Sequence, residues 1–224
     1  MFEYSLYYFA ATVLVYGFLG WCGEVMYAAL CHGKFVNRGF LGGPICPIYG
    51  FGMLTVLAVL TPVEGNLAVL FFGSVVLATA LELVTGFVLD KIFSQKWWDY
   101  SEYPLNIGGY VCPLFSFLWG IGCVLMVRVV HPLIHHVIAI IPHAVGVVLL
   151  AVLWAAFAAD FIFTAIGLAG LSRELRAVSE VERLLRRASD DIGEKLADGT
   201  LDVIEKSAPL RERAEEALQK YKEL

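Results

Sequence analysis

The stretch Val36-Asn-Arg-Gly-Phe-Leu-Gly-Gly-Pro-Ile-Cys-Pro-Ile-Tyr-Gly-Phe-Gly52 lies between two long apolar runs and decides how the chain must fold. It contains five glycines and two prolines in seventeen residues, so it cannot form one continuous helix. Many of its backbone N–H and C=O groups therefore need partners outside a helix. At membrane depth such backbone is tolerated only where it is buried in protein or lines a wet cavity.

A second stretch repeats this pattern 66 residues later. Residues 42–51 align with residues 108–117, and at the same offset Glu24 aligns with Asp90. The sequence therefore predicts a repeated unit, in which a helix with an acid and a polar loop precede a helix entered through Gly-Gly-x-x-Cys-Pro. The residues predicted to shape the two loops and helix entrances are Gly39, Gly42, Gly43, Pro44, Cys46, Pro47, Gly108, Gly109, Cys112 and Pro113.

The composition is typical of a polytopic membrane protein with a polar extension. Of the 224 residues 59% are hydrophobic and 17% are charged, and the mean hydropathy is +0.73. Residues 172–224 hold 24 of the 37 Lys, Arg, Asp and Glu residues. We therefore predict a transmembrane domain at residues 1–171 and a charged cytoplasmic helical tail at residues 172–224. No basic stripe indicates nucleic-acid binding.

The apolar runs predict an all-α, polytopic membrane helix bundle of about five transmembrane helices. The predicted spans are residues 6–31, 45–61, 67–93, 110–130 and 144–171. Residues 133–141 are apolar but too short to cross, so we expect them at the membrane interface. The first run lacks a basic region and a small-residue cleavage site, which favours a retained span.

The positions of Lys and Arg predict the orientation of these spans. Lys34 and Arg38 follow the first span, Lys91 and Lys96 follow the third, and several arginines begin the tail. The other side carries only Arg128. The sequence thus predicts a multi-pass protein of the bacterial inner membrane with its N-terminus outside and its tail in the cytoplasm.

The tail has apolar residues at heptad spacing, which predicts an amphipathic helix that pairs with itself as a coiled coil or with a partner helix. These residues are Leu171, Val178, Leu185 and Ile192, flanked by Leu175, Val181, Ala188 and Leu196. We expect Asp198-Gly199 to break this helix and Pro209 to begin another. Two or three short helices are therefore predicted.

Carboxylates within the predicted spans are the first candidates for a functional site: Glu24, Glu82, Asp90 and Asp160. A charged side chain at the bilayer centre costs at least about 2.5–3.5 kcal/mol. All four lie in the predicted cytoplasmic half, without a Lys or Arg at mid-span. We interpret them as part of a cytoplasm-facing polar pocket for a cation, a proton or an amine-bearing solute. Solvation at the interface is the alternative, above all for Asp90.

The two polar loops supply further candidates on the same side. Arg38 can hold a carboxylate or phosphate through two hydrogen bonds. Trp97 and Trp98 fit either a pocket wall or an interfacial aromatic belt. The loop residues that we assign to substrate binding are Asn37, Arg38, Trp98, Asp99, Tyr100, Ser101 and Asn106.

Known catalytic and metal-binding motifs are absent from the sequence. It contains no Walker A motif, no G-x-S-x-G and no H-E-x-x-H, so the chain is not expected to hydrolyse ATP by itself. His131 and His135 stand four residues apart, but no carboxylate or thiol completes a metal site. The five cysteines form no C-x-x-C and are expected to be packing residues. We predict no metal and no cofactor.

Several motifs resemble those of the bacterial CmpB-type ABC-transporter permease family. They are Gly20-Trp21-x-x-Glu24, Asn37-Arg-Gly-Phe-Leu-x-Gly-Pro-x-Cys-Pro-Ile-Tyr-Gly50, Trp97-Trp-Asp-Tyr-Ser101, Asn106 and Trp119-Gly120. The resemblance covers residues 6–170 and implies a membrane permease. Carried over by residue, it points to Glu24, Asn37, Arg38, Gly39, Pro44, Cys46, Pro47, Tyr49, Trp98, Asp99, Tyr100, Ser101 and Asn106. Where the family has Gly-Arg, this chain has Gly109-Tyr110, which leaves Arg38 as the main cationic anchor.

Three functions are compatible with these patterns. The first is a permease-like transport protein, which would need a separate ATPase subunit if ATP drives it. The second is a membrane-embedded enzyme acting on a lipid or lipid-linked substrate, and the third is a scaffold that recruits partners through its tail. The expected partners are the lipid bilayer, an ATPase subunit and a second copy of the chain. The complete predicted substrate site is Glu24, Asn37, Arg38, Tyr49, Glu82, Trp98, Asp99, Tyr100, Ser101, Asn106 and Asp160.

Overall fold

The structure is a computed structural model that describes residues 6–37, 39–168 and 178–222, with side chains for 6–37, 39–167 and 183–208. Throughout these residues the regular structure is helical, which confirms the predicted all-α class. The helices are α1 (Leu6–His32), α2 (Pro47–Leu60), α3 (Leu67–Phe93), α4 (Pro113–Leu125), α5 (His131–Ile140), α6 (His143–Leu168) and α7 (Val178–Lys222). A 3-10 turn, Thr61–Val63, follows α2, and a π-helical turn, Met126–Val130, joins α4 to α5.

Four helices in the described chain are long and apolar enough to span a membrane. They are α1, α3, α6 and the continuous helix Pro113–Ile140. The short apolar helix Pro47–Val63 lies where the second span is predicted. The structure thus confirms a membrane helix bundle, and a count of five crossings stays a prediction.

The helix of the predicted fourth span does not end at residue 130 but continues to Ile140, and the interfacial position of residues 133–141 stays a prediction. The π-helical turn carries α4 directly into α5, giving one apolar helix of 28 residues. The His131 N–H donates to the Met126 carbonyl five residues earlier. This wider turn accommodates Pro132, which lacks an N–H and would crowd a normal helical turn.

The two predicted repeat units share a local design. Both α2 and α4 begin at a proline, Pro47 and Pro113, and each proline follows a cysteine at the N-cap. Proline suits this first position because the N–H it lacks would have no helical partner there. Helix α2 packs against α1, and α4 packs against α3. Superposition of the two pairs by rotation about the membrane normal stays a prediction.

Helix α2 begins beside the middle of α1, not beside its end. The Cys46 N–H donates to the Gly17 carbonyl at 2.9 Å. Residues 33–46, which we call loop 1, therefore fold back along the last turns of α1. Gly50 permits this approach, because a Cβ atom there would overlap the Val13 carbonyl.

Aromatic contacts show which segments share an end of the bundle. The Phe40 ring in loop 1 lies 5.6 Å from Phe93, 5.3 Å from Trp97 and 5.8 Å from Phe161. Loop 1, the end of α3, the C-terminal part of α6 and residues 94–112, which we call loop 2, thus meet at one end, the loop end. At the opposite end Tyr7 contacts His143.

Helix α7 docks on the bundle, since Ala197 is buried in a cluster with Trp21, Val25, Ala29 and Cys46. The expected break at Asp198-Gly199 is wrong, because one helix runs from Val178 to Lys222 through Gly199 and Pro209. A glycine inside a helix costs only about 1 kcal/mol relative to alanine, which the packing of the neighbouring turns offsets.

The face of α7 that docks differs from the predicted heptad face. Ser189, Gly193 and Ala197 are buried at four-residue spacing, whereas Ile192 is 40% exposed. A glycine is needed at position 193 because the Phe35 ring of loop 1 occupies the place of a Cβ atom there. Leu171, Leu175 and the side chains of Val178 and Val181 lie outside the described residues. Pairing of α7 as a coiled coil stays a prediction.

Candidate functional site

Five side chains from both helix pairs form a continuous group, which we call the carboxylate cluster: Glu24, Tyr49, Glu82, Tyr100 and Trp119. The Tyr49 hydroxyl of α2 donates to Glu24 Oε1 of α1. The Tyr49 ring packs 5.7 Å from the Trp119 ring of α4. Trp119 Nε1 donates to Glu82 Oε1 of α3 at 3.2 Å, and the Tyr100 hydroxyl of loop 2 donates to the same oxygen at 3.0 Å. Two membrane carboxylates are thus connected through aromatic residues.

Glu82 has two differently placed carboxyl oxygens. Its side chain is 7% exposed, and Oε1 accepts both of the hydrogen bonds from Tyr100 and Trp119. Oε2 is buried and has no hydrogen-bond partner among the described residues. A buried carboxylate without further donors is costly, so this oxygen favours either a proton or a cationic group.

Tyr100 remains a hydrogen-bond donor across the physiological pH range. Burial, and then the nearby charges of Glu82 and Glu24, raise the pKa of Tyr100 well above its ordinary value. Its ring also stacks on Phe115 at 4.5 Å. The hydroxyl is therefore fixed in place and protonated beside Glu82.

Asp160 lies in α6, where it holds the backbone of loop 1. It is 3% exposed, and its carboxylate accepts hydrogen bonds from the N–H groups of Gly42 at 3.2 Å and Gly43 at 2.7 Å. A Cβ atom at Gly43 would lie 2.8 Å from Asp160 Oδ2, so glycine is needed for this approach. The geometry supports a role in positioning loop 1, and substrate binding by Asp160 stays a prediction.

Asn37 joins loop 1 to α1 and α7. Its Oδ1 atom accepts hydrogen bonds from Trp21 Nε1 at 3.1 Å and Gly39 N at 3.0 Å. Its Nδ2 atom donates to the Gly42 carbonyl at 3.2 Å and to Ser189 Oγ at 3.1 Å. These four bonds use both donors and both acceptor positions of the amide. The neighbouring candidate, Arg38, lies outside the described residues.

The loop 2 candidates mostly bond within loop 2. Asp99 Oδ1 accepts from the N–H and hydroxyl of Ser101, and Asn106 bonds the Ser101 and Tyr103 carbonyls and the Gly109 N–H. The bonds from Ser101, and then the charge of Lys96, lower the pKa of the exposed Asp99 carboxyl. These residues shape the loop that presents Tyr100.

Trp98 and Tyr110 attach loop 2 to the end of α3. Trp98 Nε1 donates to the Tyr110 carbonyl at 2.9 Å, and the Trp98 ring lies against Gly86. The Tyr110 hydroxyl donates to Asp90 Oδ2 at 2.7 Å, a bond that raises the pKa of Tyr110. Tyr110 thus contacts an acid near the end of α3.

The structure therefore brings four of the predicted site residues into one cluster: Glu24, Tyr49, Glu82 and Tyr100. Trp119 joins them although the sequence analysis did not place it in the site. Its position in an apolar helix was a usable signal, because a buried indole N–H needs an acceptor.

A surface groove of about 640 Å³ between α2 and α3 is lined by apolar residues including Leu60, Phe72 and Gly73. It contains none of the cluster residues. Among the described residues, no group of three or more His, Cys, Asp or Glu side chains could hold a metal ion.

A known protein-family model covers most of the chain. The family model described as "Putative ABC-transporter type IV" matches residues 11–165, which include all five cluster residues. The chain belongs to this family. The family and the four long apolar helices together indicate a membrane-embedded protein of the ABC-transporter type. Helix α7 lies beyond the matched region. No curated protein and no solved structure matches the chain.

Proposed function

We propose that this chain is the membrane-spanning part of a transport system and that its carboxylate cluster binds a cationic group of the transported solute or a proton. The observation that carries the proposal is the link from Glu24 through Tyr49 and Trp119 to Glu82. Acids retained inside membrane helices commonly mark solute or ion pathways.

The cluster is placed where a movement between the two helix pairs would change it. Glu24 and Tyr49 belong to the α1–α2 pair, whereas Glu82 and Trp119 belong to the α3–α4 pair. A shift of one pair against the other would separate Tyr49 from Trp119. The affinity of the cluster would thereby depend on conformation, as transport by alternating access requires.

The loop end is the proposed cytoplasmic face of the bacterial inner membrane and the docking site for a separate ATPase subunit. Lys34, Lys91 and Lys96 lie at or near this end, in agreement with the positive-inside rule. Asp160 and Asn37 attach loop 1 to α6 and α7, so a force applied to α7 would reach loop 1. This supports energy coupling through the loop end.

Transport is tested with Glu24→Gln and Glu82→Gln, and Glu102→Gln in exposed loop 2 is the matched control. Cells that express each variant at equal membrane levels are compared by mass spectrometry of solutes inside and outside the cell. We expect one class of solute to be redistributed by the wild type and by the control variant, but not by the two cluster variants. Equal solute distributions in all strains would refute transport, and substrate turnover in detergent micelles would instead indicate an enzyme.

The ATPase partner is tested by purification from native membranes in mild detergent. We expect an ATPase subunit to co-purify with the wild type and with the Glu82→Gln variant, because the cluster is inside the bundle. Recovery of the chain without any ATPase, under conditions that keep α7 docked, would contradict ATP-driven transport.

The proposed orientation can be tested through the exposed thiol of Cys31 at the end of α1. A membrane-impermeant maleimide should label it in inside-out vesicles and not in intact cells. Loss of labelling in Cys31→Ser identifies the reacting thiol, and labelling in intact cells would reverse the assignment.

A further inference from the structure

Three polar side-chain atoms on α3, one of them from Glu82, are buried and have no hydrogen-bond partner among the described residues. The atoms are Ser74 Oγ, Thr79 Oγ1 and Glu82 Oε2, and in the described chain they are the buried side-chain atoms without a partner. Ser74 is 0% exposed and Glu82 is 7% exposed. The Cys123 thiol of α4 lies beside Ser74, and a thiol is a weak hydrogen-bond partner.

The helical spacing places these atoms on one side of α3. Ser74 and Glu82 are eight residues apart, with the small Ala78 between them on the helix face, and Thr79 lies one turn from Glu82. At 1.5 Å per residue the group extends about 12 Å along α3 from Glu82 towards the N-terminal end of the helix. Three unsatisfied polar groups within about two turns of a largely apolar helix need a common explanation.

The chemistry of the group favours water and protons over a metal ion. Hydroxyl groups both donate and accept hydrogen bonds, so they can hold buried water, and a carboxyl group can bind a proton. A metal ion would need more acidic or imidazole ligands, and the described residues contain no such group.

We propose that Glu82 reversibly binds a proton and that Ser74 and Thr79 line a short file of water which exchanges this proton. The step adds one proton to a carboxylate oxygen and changes no covalent bond or oxidation state. It rests on the proposed function and deepens it, because it assigns proton binding to a specific atom of the carboxylate cluster, whether or not ATP drives solute movement.

The neighbours of Glu82 are suited to this role. Tyr100 from loop 2 and Trp119 from α4 donate to Oε1, which leaves Oε2 as the protonated oxygen. Glu24 on α1 is the other acid near the site, bonded by Tyr49 of α2.

The proton on Glu82 is tested by infrared difference spectroscopy of the full-length protein in lipid. The carbonyl stretch of a protonated carboxylic acid is separate from that of a carboxylate, and it shifts in D2O. We expect this band in the wild type at neutral pH, its loss in Glu82→Gln and its retention in Glu102→Gln. A wild type without the band, or Glu82→Gln with an unchanged band, would overturn the proposal.

The water file is tested by the rate at which this band shifts after transfer to D2O. We expect Ser74→Ala and Thr79→Val to slow the shift by about tenfold, since each removes a polar group from the file. The control is Thr55→Val, because the Thr55 hydroxyl already bonds the Phe51 carbonyl at 2.8 Å. Equal rates of the band shift in the wild type, Ser74→Ala, Thr79→Val and Thr55→Val would refute the water file. Solute transport that depends on Glu82 would in that case still support the proposed function.

Discussion

Replacing Gly20 by alanine should break the contact that positions Tyr49, whereas the same replacement at Gly23 should not. Both glycines lie inside α1. A Cβ atom at Gly20 would come well inside 3.0 Å of the Tyr49 Cγ and Cβ atoms, whereas one at Gly23 would meet no atom within 4 Å. Because Tyr49 Cβ is fixed by the backbone of α2, rotation of the ring alone cannot relieve the overlap.

The expected magnitudes follow from three contributions. Alanine gains up to about 1 kcal/mol over glycine inside a helix, and this gain is the same at both positions. Overpacking at Gly20 costs about 1–3 kcal/mol. Loss of the Tyr49 hydrogen bond to the Glu24 carboxylate costs a further 1.5–3 kcal/mol, approximately. Gly20→Ala should therefore destabilise the protein by about 1.5–5 kcal/mol, and Gly23→Ala should stabilise it by up to about 1 kcal/mol.

The measurement is the unfolding of the purified variants in detergent, followed by tryptophan fluorescence. Tyr49→Phe separates the cost of the lost hydrogen bond from the cost of overpacking, because it keeps the ring and removes only the hydroxyl. It should destabilise the protein by about 1.5–3 kcal/mol, less than the upper range for Gly20→Ala. If Gly20→Ala is as stable as Gly23→Ala, the packing of α2 against α1 described above is refuted.

Three further outcomes test other parts of the structure. Asp160→Asn should lower the free energy of unfolding by about 1.5–3 kcal/mol, because it removes the charge that strengthens two backbone hydrogen bonds in loop 1. Amide hydrogen exchange in loop 1 should then be faster than in the wild type. An unchanged exchange rate would contradict the role of Asp160 in positioning loop 1. Gly193→Ala should accelerate hydrogen exchange in α7, because its Cβ atom would overlap the Phe35 ring. Gly199→Ala has free space for its Cβ atom and should leave the exchange rate of α7 unchanged. Equal exchange rates in the two variants would refute the packing of α7 on the bundle. The folded pKa of Asp99 lies below the unfolded value of about 3.9, so its contribution to loop 2 is present above that value and is lost as pH falls through the folded pKa. Loop 2 exchange, referenced to an unstructured peptide, should increase in this acid range, and Asp99→Asn should remove the transition.

The sequence was informative where a local pattern has one structural solution. Gly-Gly-x-x-Cys-Pro predicted two helix entrances, and α2 and α4 begin at Pro47 and Pro113. The repeat offset aligned Glu24 with Asp90, and in the structure a tyrosine hydroxyl donates to each of these acids. Periodicity and proline position act within a few residues, so they can be read without knowing the tertiary packing.

The sequence was misleading where long-range packing overrides a local tendency. Asp198-Gly199 is a common helix stop, but α7 continues because its neighbouring turns are packed against α1. The His131-Pro132 pair also commonly stops a helix, but here a π-helical turn accommodates the proline and the helix continues. In both places, keeping the helix intact at the glycine or proline costs about 1–3 kcal/mol of stability, and contacts with other helices can offset this cost.

The sequence by itself determined that this is a helical membrane protein, that acids lie inside its spans and that glycine and proline interrupt them. Hydropathy and backbone chemistry are enough for these conclusions, because lipid gives an unpaired backbone group no partner. Only the tertiary structure decided that Asp160 holds loop 1, that Trp119 joins Glu82 to Tyr49 and that Glu82 Oε2 has no hydrogen-bond partner among the described residues. These facts depend on residues far apart in the chain, whose distances are set by how whole helices pack.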